Sequence, residues 1–168
     1  MTVKRLAYAI IFFVLSGTAY AGSATDEAFQ TLADEYISEL TSFSPVYATL
    51  IGDHSADDEL DHVDAAARAE VLDLLKEYKA AIDALDFDDL SRANQVDADL
   101  LLHNIESSIW STETLQEWAW NPLYYINISG SSIYGLMARD FAPLEQRLRS
   151  ATARLEQEQD DYQRIKGL

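Results

Sequence analysis

The segment Asp53-His-Ser-Ala-Asp-Asp-Glu-Leu-Asp-His-Val-Asp64 gathers the densest set of ion-ligating side chains in this sequence. Asp53, Ser55, Asp57, Glu59, Asp61 and Asp64 occupy positions one, three, five, seven, nine and twelve of a twelve-residue frame. Oxygens at such alternate positions can wrap a hard cation, as they do in the calcium loop of an EF-hand. That loop needs glycine at position six for its sharp turn and a bidentate glutamate at position twelve. Here those positions hold Asp58 and the shorter Asp64. Spacing of this kind also arises readily in any stretch so acidic. Three readings stand: a calcium site at Asp53, Asp57, Glu59, Asp61 and Asp64, a solvated loop, or one rim of a ligand cleft.

Other chemistries have less to work with. A zinc hydrolase of the common kind carries His-Glu-x-x-His on a helix, two imidazoles one turn apart with a glutamate to activate water. None of the three histidines fits it: Ser-Ala follows His54, Val-Asp-Ala-Ala follows His62, and Asn-Ile-Glu-Ser follows His103. The inverted form, His-x-x-Glu-His, fails at Ser107. His103 and Glu106 can share a helical face, but two ligands do not make a site. No serine sits in Gly-x-Ser-x-Gly, and no glycine loop could cradle phosphate. Catalytic residues are therefore not assigned, and no cofactor is expected within this chain.

The aromatic residues offer a binding surface instead. Trp110, Trp118, Trp120, Tyr124, Tyr125, Tyr134 and Phe141 crowd into one part of the sequence, and Trp118 to Ala138 contains no charged side chain. Such a run reads either as packing between helices or as the aromatic wall of a ligand channel, where indole and phenol set polar handles beside apolar faces. Because it keeps Asn121, Asn127 and several serines, it should be buried against protein with polar partners. Asn121, Pro122, Ser129, Gly130 and Gly135 interrupt it too often for a lipid-facing helix.

The whole chain narrows the setting. Lys4 and Arg5, the apolar stretch Leu6 to Leu15 and the small-x-small triplet Ala19-Tyr20-Ala21 have the order of a secretory signal, cleaved after Ala21. An apolar stretch of that length is too short to span a bilayer. The mature domain is then residues 22–168, exported to the periplasm or secreted. The sequence contains no cysteine, so it offers neither a disulfide nor a thiol for lipid attachment. A formal net charge of −17, which becomes more negative with loss of Lys4 and Arg5, repels nucleic acid and anionic membranes. The partners expected are neither, and oligomeric state is not legible.

The elements that must position these residues are helical throughout. Phe29, Leu32, Ala33, Tyr36, Ile37 and Leu40 recur at three- and four-residue steps, predicting a helix from Asp26 to about Ser42. Ser44 can cap a second helix with Pro45 in its first turn and Gly52 as its stop. Asp64 caps a third, with Val71, Leu74, Leu75, Tyr78, Ile82 and Leu85 on its inner face. A linker, Asp86 to Leu90, leads to Ser91 and a fourth helix through Val96, Leu101, Ile105 and Ile109. Pro122 breaks the pattern, and two short helices, Leu123–Ile128 and Ser132–Ala138, are expected to meet at Ser129-Gly130. A last helix starts near Pro143 with Leu144, Leu148, Ala151 and Leu155 inward, supported by Glu145–Arg149 and Arg154–Glu158 pairs. From Gln157 its pattern dissolves, either as a frayed end or as the edge of a longer fold. The fold class is all-α, an irregular array of six or seven helices.

Several of these segments together resemble a known family. Phe43-Ser-Pro-Val-Tyr-Ala-Thr-Leu-Ile-Gly-Asp-His54, Asp97-Ala-Asp-Leu-Leu101, Trp120-Asn-Pro-Leu-Tyr-Tyr125 and Leu136-Met-Ala-Arg-Asp-Phe-Ala-Pro-Leu-Glu-Gln-Arg-Leu148 are similar, in order and spacing, to the domain-of-unknown-function 885 family of bacterial proteins. The resemblance implies a much longer, often exported helical protein of zinc-metallopeptidase type, with a deep channel and its His-Glu-x-x-His far downstream. It covers Phe29 to about Leu155, the N-terminal portion only. No zinc ligand transfers to this sequence, and zinc is implied only for the full-length protein. His54 and Arg139 match recurrent family positions without an assigned role. The resemblance implies a channel wall, inactive alone, whose ligand-facing residues would be His54, Trp120, Tyr124, Tyr125 and Arg139 and whose ligand in the full-length form would be a peptide. From the residues alone, a free-standing exported helical module that binds a peptide or apolar ligand stands beside it.

Overall fold

Helical periodicity in the sequence becomes α-helix wherever it was strongest. The computed structural model describes residues 24–166, with side chains as far as Glu158. The signal segment and its cleavage after Ala21 lie outside the described residues. Among the described residues there is no strand, and the order is α1 (Ala24–Phe43), α2 (Pro45–Ile51), α3 (Ala65–Asp83), α4 (Arg92–Trp110), α5 (Glu117–Trp120), α6 (Pro122–Met137) and α7 (Leu144–Lys166). A 3₁₀ turn, Phe87–Asp89, fills the α3–α4 linker, and a π-helical turn, Ser111–Leu115, follows α4. No described helix is long and apolar enough to cross a membrane.

The first layer is α1, α3 and α4 packed together. Phe29 and Tyr36 of α1, Leu74, Leu75, Tyr78 and Ile82 of α3, and Ala98 and Ile105 of α4 form its core, with Leu90 closing one end. Tyr36 and Tyr78 meet edge to face at 5.3 Å. Buried Asp26 ties the ends of α1 and α4 together, accepting from the Ser91 amide at 2.8 Å and from Asn94 Nδ2 at 2.7 Å. The expected caps at Asp64 and Ser91 form, on the amides of Ala67 and Asn94. Val96 departs from its expected inward place and is exposed, because small Ala98 sits where α4 approaches the core.

The second layer is α2, α6 and α7. Gly52 ends α2 in the left-handed region at φ 100°, its amide donating to the Ala48 and Thr49 carbonyls. Ser44 does not cap α2. Its hydroxyl donates to Asp61 Oδ2 at 2.7 Å, and Asp61 Oδ1 accepts the Val46 amide at 2.9 Å. A carboxylate from the acidic loop thus does the work expected of the serine, and an anion suits a helix N-terminus better.

Further expectations are corrected. The two short helices are one helix, α6, because Ser129 and Gly130 continue it; Ser132 returns its hydroxyl to the Ser129 carbonyl at 2.7 Å. α7 runs on past Gln157 to Lys166. Its inward face is Arg147, Ala151 and Arg154, while Leu144, Leu148 and Leu155 are exposed. The Arg154–Glu158 pair does not form; Arg154 turns inward and Glu158 accepts from Ser132 Oγ instead. The exposed Glu145–Arg149 pair does form, at 2.7 Å. Finally, the uncharged run is not wholly buried: Trp120, Leu123, Tyr125, Ile126 and Tyr134 are all exposed.

Candidate functional site

The chain leaves α4 through an unusual path that decides where the aromatic residues go. The π-helical turn adds a residue to the helical repeat, and Gln116 then adopts φ 50°, ψ 44°, with its amide donating to the Ser111 carbonyl at 2.9 Å. It is the one described non-glycine residue with positive φ. Strained backbone of this kind persists where surrounding contacts over-determine it. Here the result is to swing Trp118 back, where its Nε1 donates to the Thr112 carbonyl at 3.3 Å. Arg68 of α3 lies over the Trp118 ring, its guanidinium carbon 4.1 Å from the centroid. A second hydrogen bond, from Arg68 Nη1 to the Val63 carbonyl, fixes that guanidinium.

Asn121 then restarts the helix. It has the extended backbone that a following proline favours, and its side-chain oxygen accepts the Leu123 amide at 3.1 Å. Its Nδ2 donates to Glu117 Oε1 at 3.4 Å. One turn into α6, Tyr124 faces inward and meets Tyr125 edge to face at 5.1 Å. Tyr125 in turn donates its hydroxyl to the Trp118 carbonyl at 2.8 Å. These contacts hold Trp118 and Tyr124 as one rigid aromatic unit.

Between this unit and the first layer lies a cleft of about 450 Å³, bounded by Phe43, Val71, Arg68, Trp118 and Tyr124. A second cavity of about 310 Å³ adjoins it on the α2 side, toward Tyr47, Asn127 and Ser131. The two share Ser44, Asp61, Glu117, Tyr124 and Ile128. Volumes of this size suit a small ligand or a few residues of a chain. The Tyr124 phenol is held above its ordinary pKa, first by burial and then by Tyr125, with the Asp61 and Glu117 carboxylates acting in the same direction and Arg68 opposing. At neutral pH the phenol is a hydrogen-bond donor, not an anion.

The residues singled out in the sequence separate into two groups. Tyr124 lines the cleft, Tyr125 stands behind it, and Trp120 lies on the outer surface with Nε1 donating to the Leu115 carbonyl at 2.8 Å. His54 and Arg139 are elsewhere. His54 stacks on Phe141 with ring centroids 3.5 Å apart, and its Nδ1 lies 3.1 Å from Asp57 Oδ1. Arg139 donates to the Leu50 carbonyl at 2.7 Å.

Behind His54 is a buried network that sequence reasoning missed. Arg154, 0% exposed, donates to the Ser132 carbonyl at 2.7 Å, Thr49 Oγ1 at 2.8 Å and the Pro45 and Ala56 carbonyls. Thr49 passes a hydrogen bond to Asp57 Oδ1 at 2.8 Å. Burial presses the Arg154 pKa downward, opposed by Asp57, Asp61 and Asp58. The network joins α2, the acidic loop, α6 and α7. Its one signal in the sequence is an arginine flanked by Ala151 and Leu155, beside an apolar stripe.

The acidic loop is spoken for in the same way. Asp53 accepts the Ser55 amide, Asp57 binds Thr49 and His54, Asp61 binds Ser44 and Val46, and Asp64 caps α3. Glu59 is exposed. Asp53, Asp57, Glu59, Asp61 and Asp64 thus point to separate tasks rather than to one centre. No group of three His, Cys, Asp or Glu among the described residues could hold a metal ion.

Residues 45–165, which include the cleft's α5–α6 wall and the whole Arg154 network, match the family described as bacterial protein of unknown function (DUF885). The chain belongs to the DUF885 family. A solved structure of a candidate lipoprotein of unknown function from Shewanella oneidensis is similar to it, at 30% identity and a TM-score of 0.68. That similarity covers 76% of this chain and 23% of the other, so this DUF885 chain spans about a quarter of the length of the solved structure it matches. No curated protein matches the chain.

Proposed function

We propose that this DUF885 chain is the N-terminal helical portion of an exported protein of zinc-peptidase type, walling a substrate channel and supplying no catalytic residue. The observation that carries this is the outer face of α6. Leu123, Ile126, Gly130 and Tyr134 fall on one stripe of the helix, all exposed and all uncharged. Exposed Leu144, Leu148 and Leu155 repeat the pattern on α7. A chain with a formal net charge of −17 has ample charge to cover such faces, and contiguous apolar surface is a mark of something that packs there. The solved relative supplies polypeptide enough to cover both faces, since this chain corresponds to 23% of it. Zinc and the general base would come from that additional polypeptide. The N-terminal segment supports export.

The purified chain is expected not to hydrolyse a mixture of unblocked and N-acetylated peptides with or without added zinc. Hydrolysis that persists through purification and through a chelator control would overturn the reading. The cleft favours a second reading, a free-standing helical module that binds a peptide, because its walls are built from this chain's own residues. Sequencing the genomic DNA beyond codon 168 separates the two: a His-Glu-x-x-His codon pattern in a continuous frame supports the first, an unrelated neighbour the second.

A further inference from the structure

The two cavities meet at a neck with a distinct chemistry. Asp61, Glu117 and the Tyr124 side chain belong to both cavities, and both carboxylates act electrostatically on the Tyr124 phenol. Among the described residues no lysine or arginine forms an ion pair with Asp61 or Glu117. Arg68 lines only the larger cavity and is engaged by the Val63 carbonyl and the Trp118 face, while Asp61 also acts electrostatically on buried Arg154. Two carboxylates brought beside one partly buried phenol repel each other, and an added cation relieves that repulsion while gaining two charge-assisted contacts. The aromatic faces of Trp118 and Tyr124 favour the same charge.

We propose that this neck is a subsite for a primary ammonium group, presented by an extended peptide whose flanking residues occupy the cavities on either side. The larger cavity, with Phe43, Val71 and Ile128 in its lining, takes an apolar side chain. The smaller, with Asn121, Asn127 and Ser131, takes peptide groups that need hydrogen bonds. The ammonium is either a lysine side chain or the peptide's own N-terminus, which share this chemistry. The inference rests on reading the cleft as a peptide channel wall and names the class of peptide it takes.

The test titrates the full chain by calorimetry with three tripeptide amides: N-acetylated Ala-Lys-Ala, unblocked Ala-Ala-Ala, and N-acetylated Ala-Ala-Ala. At least one amine-bearing peptide is expected to bind about tenfold more tightly than the acetylated all-alanine peptide, a preference equivalent to about 1.4 kcal/mol. The preference should weaken as salt rises. Which of the two binds assigns the ammonium to a side chain or to a terminus. Glu117→Gln should remove most of the preference with the helical circular dichroism unchanged, since among the described residues the Glu117 side chain hydrogen-bonds only Asn121, at 3.4 Å. Tyr124→Phe, which keeps the ring, gives a smaller loss and serves as an independent check. Equal affinity for charged and neutral peptides, or a preference that survives Glu117→Gln, would overturn the ammonium subsite and leave the channel wall standing. Failure of all three peptides to bind would overturn both.

Discussion

Arg154 carries its positive charge at the most enclosed point of the second layer, and what it holds explains what its loss would do. Its guanidinium reaches backbone carbonyls on three segments and Thr49 at once, while its Nε has no partner among the described residues. Replacing it with Met leaves those acceptors unmet and removes the buried positive charge that Asp57, reached through Thr49, acts on. Arg154→Met is expected to lower unfolding free energy by about 3–5 kcal/mol in urea melts. Arg154→Lys should not rescue it, because an ammonium cannot span the planar fork of contacts. A residue-scale effect of the opposite kind belongs to Tyr78. Burial, then the hydrogen bond and charge of Glu39, with Glu35 and Glu77 adding, push its phenol up to about 12 from an ordinary 10.0. A raised folded pKa means the contribution to stability is fully present below the unfolded value and lost as pH climbs through the folded one. Stability should therefore fall between about pH 10 and 12, and Tyr78→Phe should flatten that part of the profile, as urea melts at stepped alkaline pH would read.

At the scale of elements, the two glycines of α6 face different surroundings. A β-carbon on Gly130 would meet open space, whereas one on Gly135 would stand 3.3 Å from Leu50 Cδ2 and 3.5 Å from Thr49 Cγ2 on α2. Gly130→Ala is expected to stabilise the chain by about 0.5–1 kcal/mol, since it restores helix propensity without a contact. Gly135→Val should destabilise it by about 1–3 kcal/mol, because α2 must move away and carry the Arg154 network with it. Thermal melts of the two variants side by side check the sign of each. The sequence made α1, α3 and α4 legible because their apolar residues face one shared core, so period and burial agree, and α2 because Pro45 and Gly52 bound it. It failed at α6 because glycine and serine were weighed by local preference, whereas contacts to α2 and α7 keep the helix continuous. It failed on the inner face of α7 for a related reason: leucines mark a buried stripe only when something is there to bury them.

Over the whole molecule, the described residues form two layers joined through the acidic loop and the cleft, with an uncharged face of α6 and a leucine stripe on α7 left open. If those faces await further polypeptide, polar substitutions on them should cost this chain almost nothing. The double variant Leu123→Gln, Ile126→Gln is expected to change unfolding free energy by less than about 0.5 kcal/mol and to reduce binding of an apolar dye. A large loss of stability would mean that the face packs within the chain itself.

By itself the sequence determined the all-α class, the first four helices, the caps at Asp64 and Ser91 and the stop at Gly52, and the family, because each rests on local spacing or on ordered motifs. It placed Tyr124 among the ligand-facing residues, yet it grouped Tyr124 with His54 and Arg139, which the fold sends to a separate network. Only the tertiary structure decided that Asp61 and Glu117 line the same two cavities as Tyr124, that the carboxylates of the acidic loop serve separate helices, and that an arginine near the chain's end is the hub of the second layer. Those arrangements bring together residues up to 109 positions apart, as Pro45 and Arg154 are. Local spacing in a sequence carries no record of such meetings; packing of one helix on another creates them.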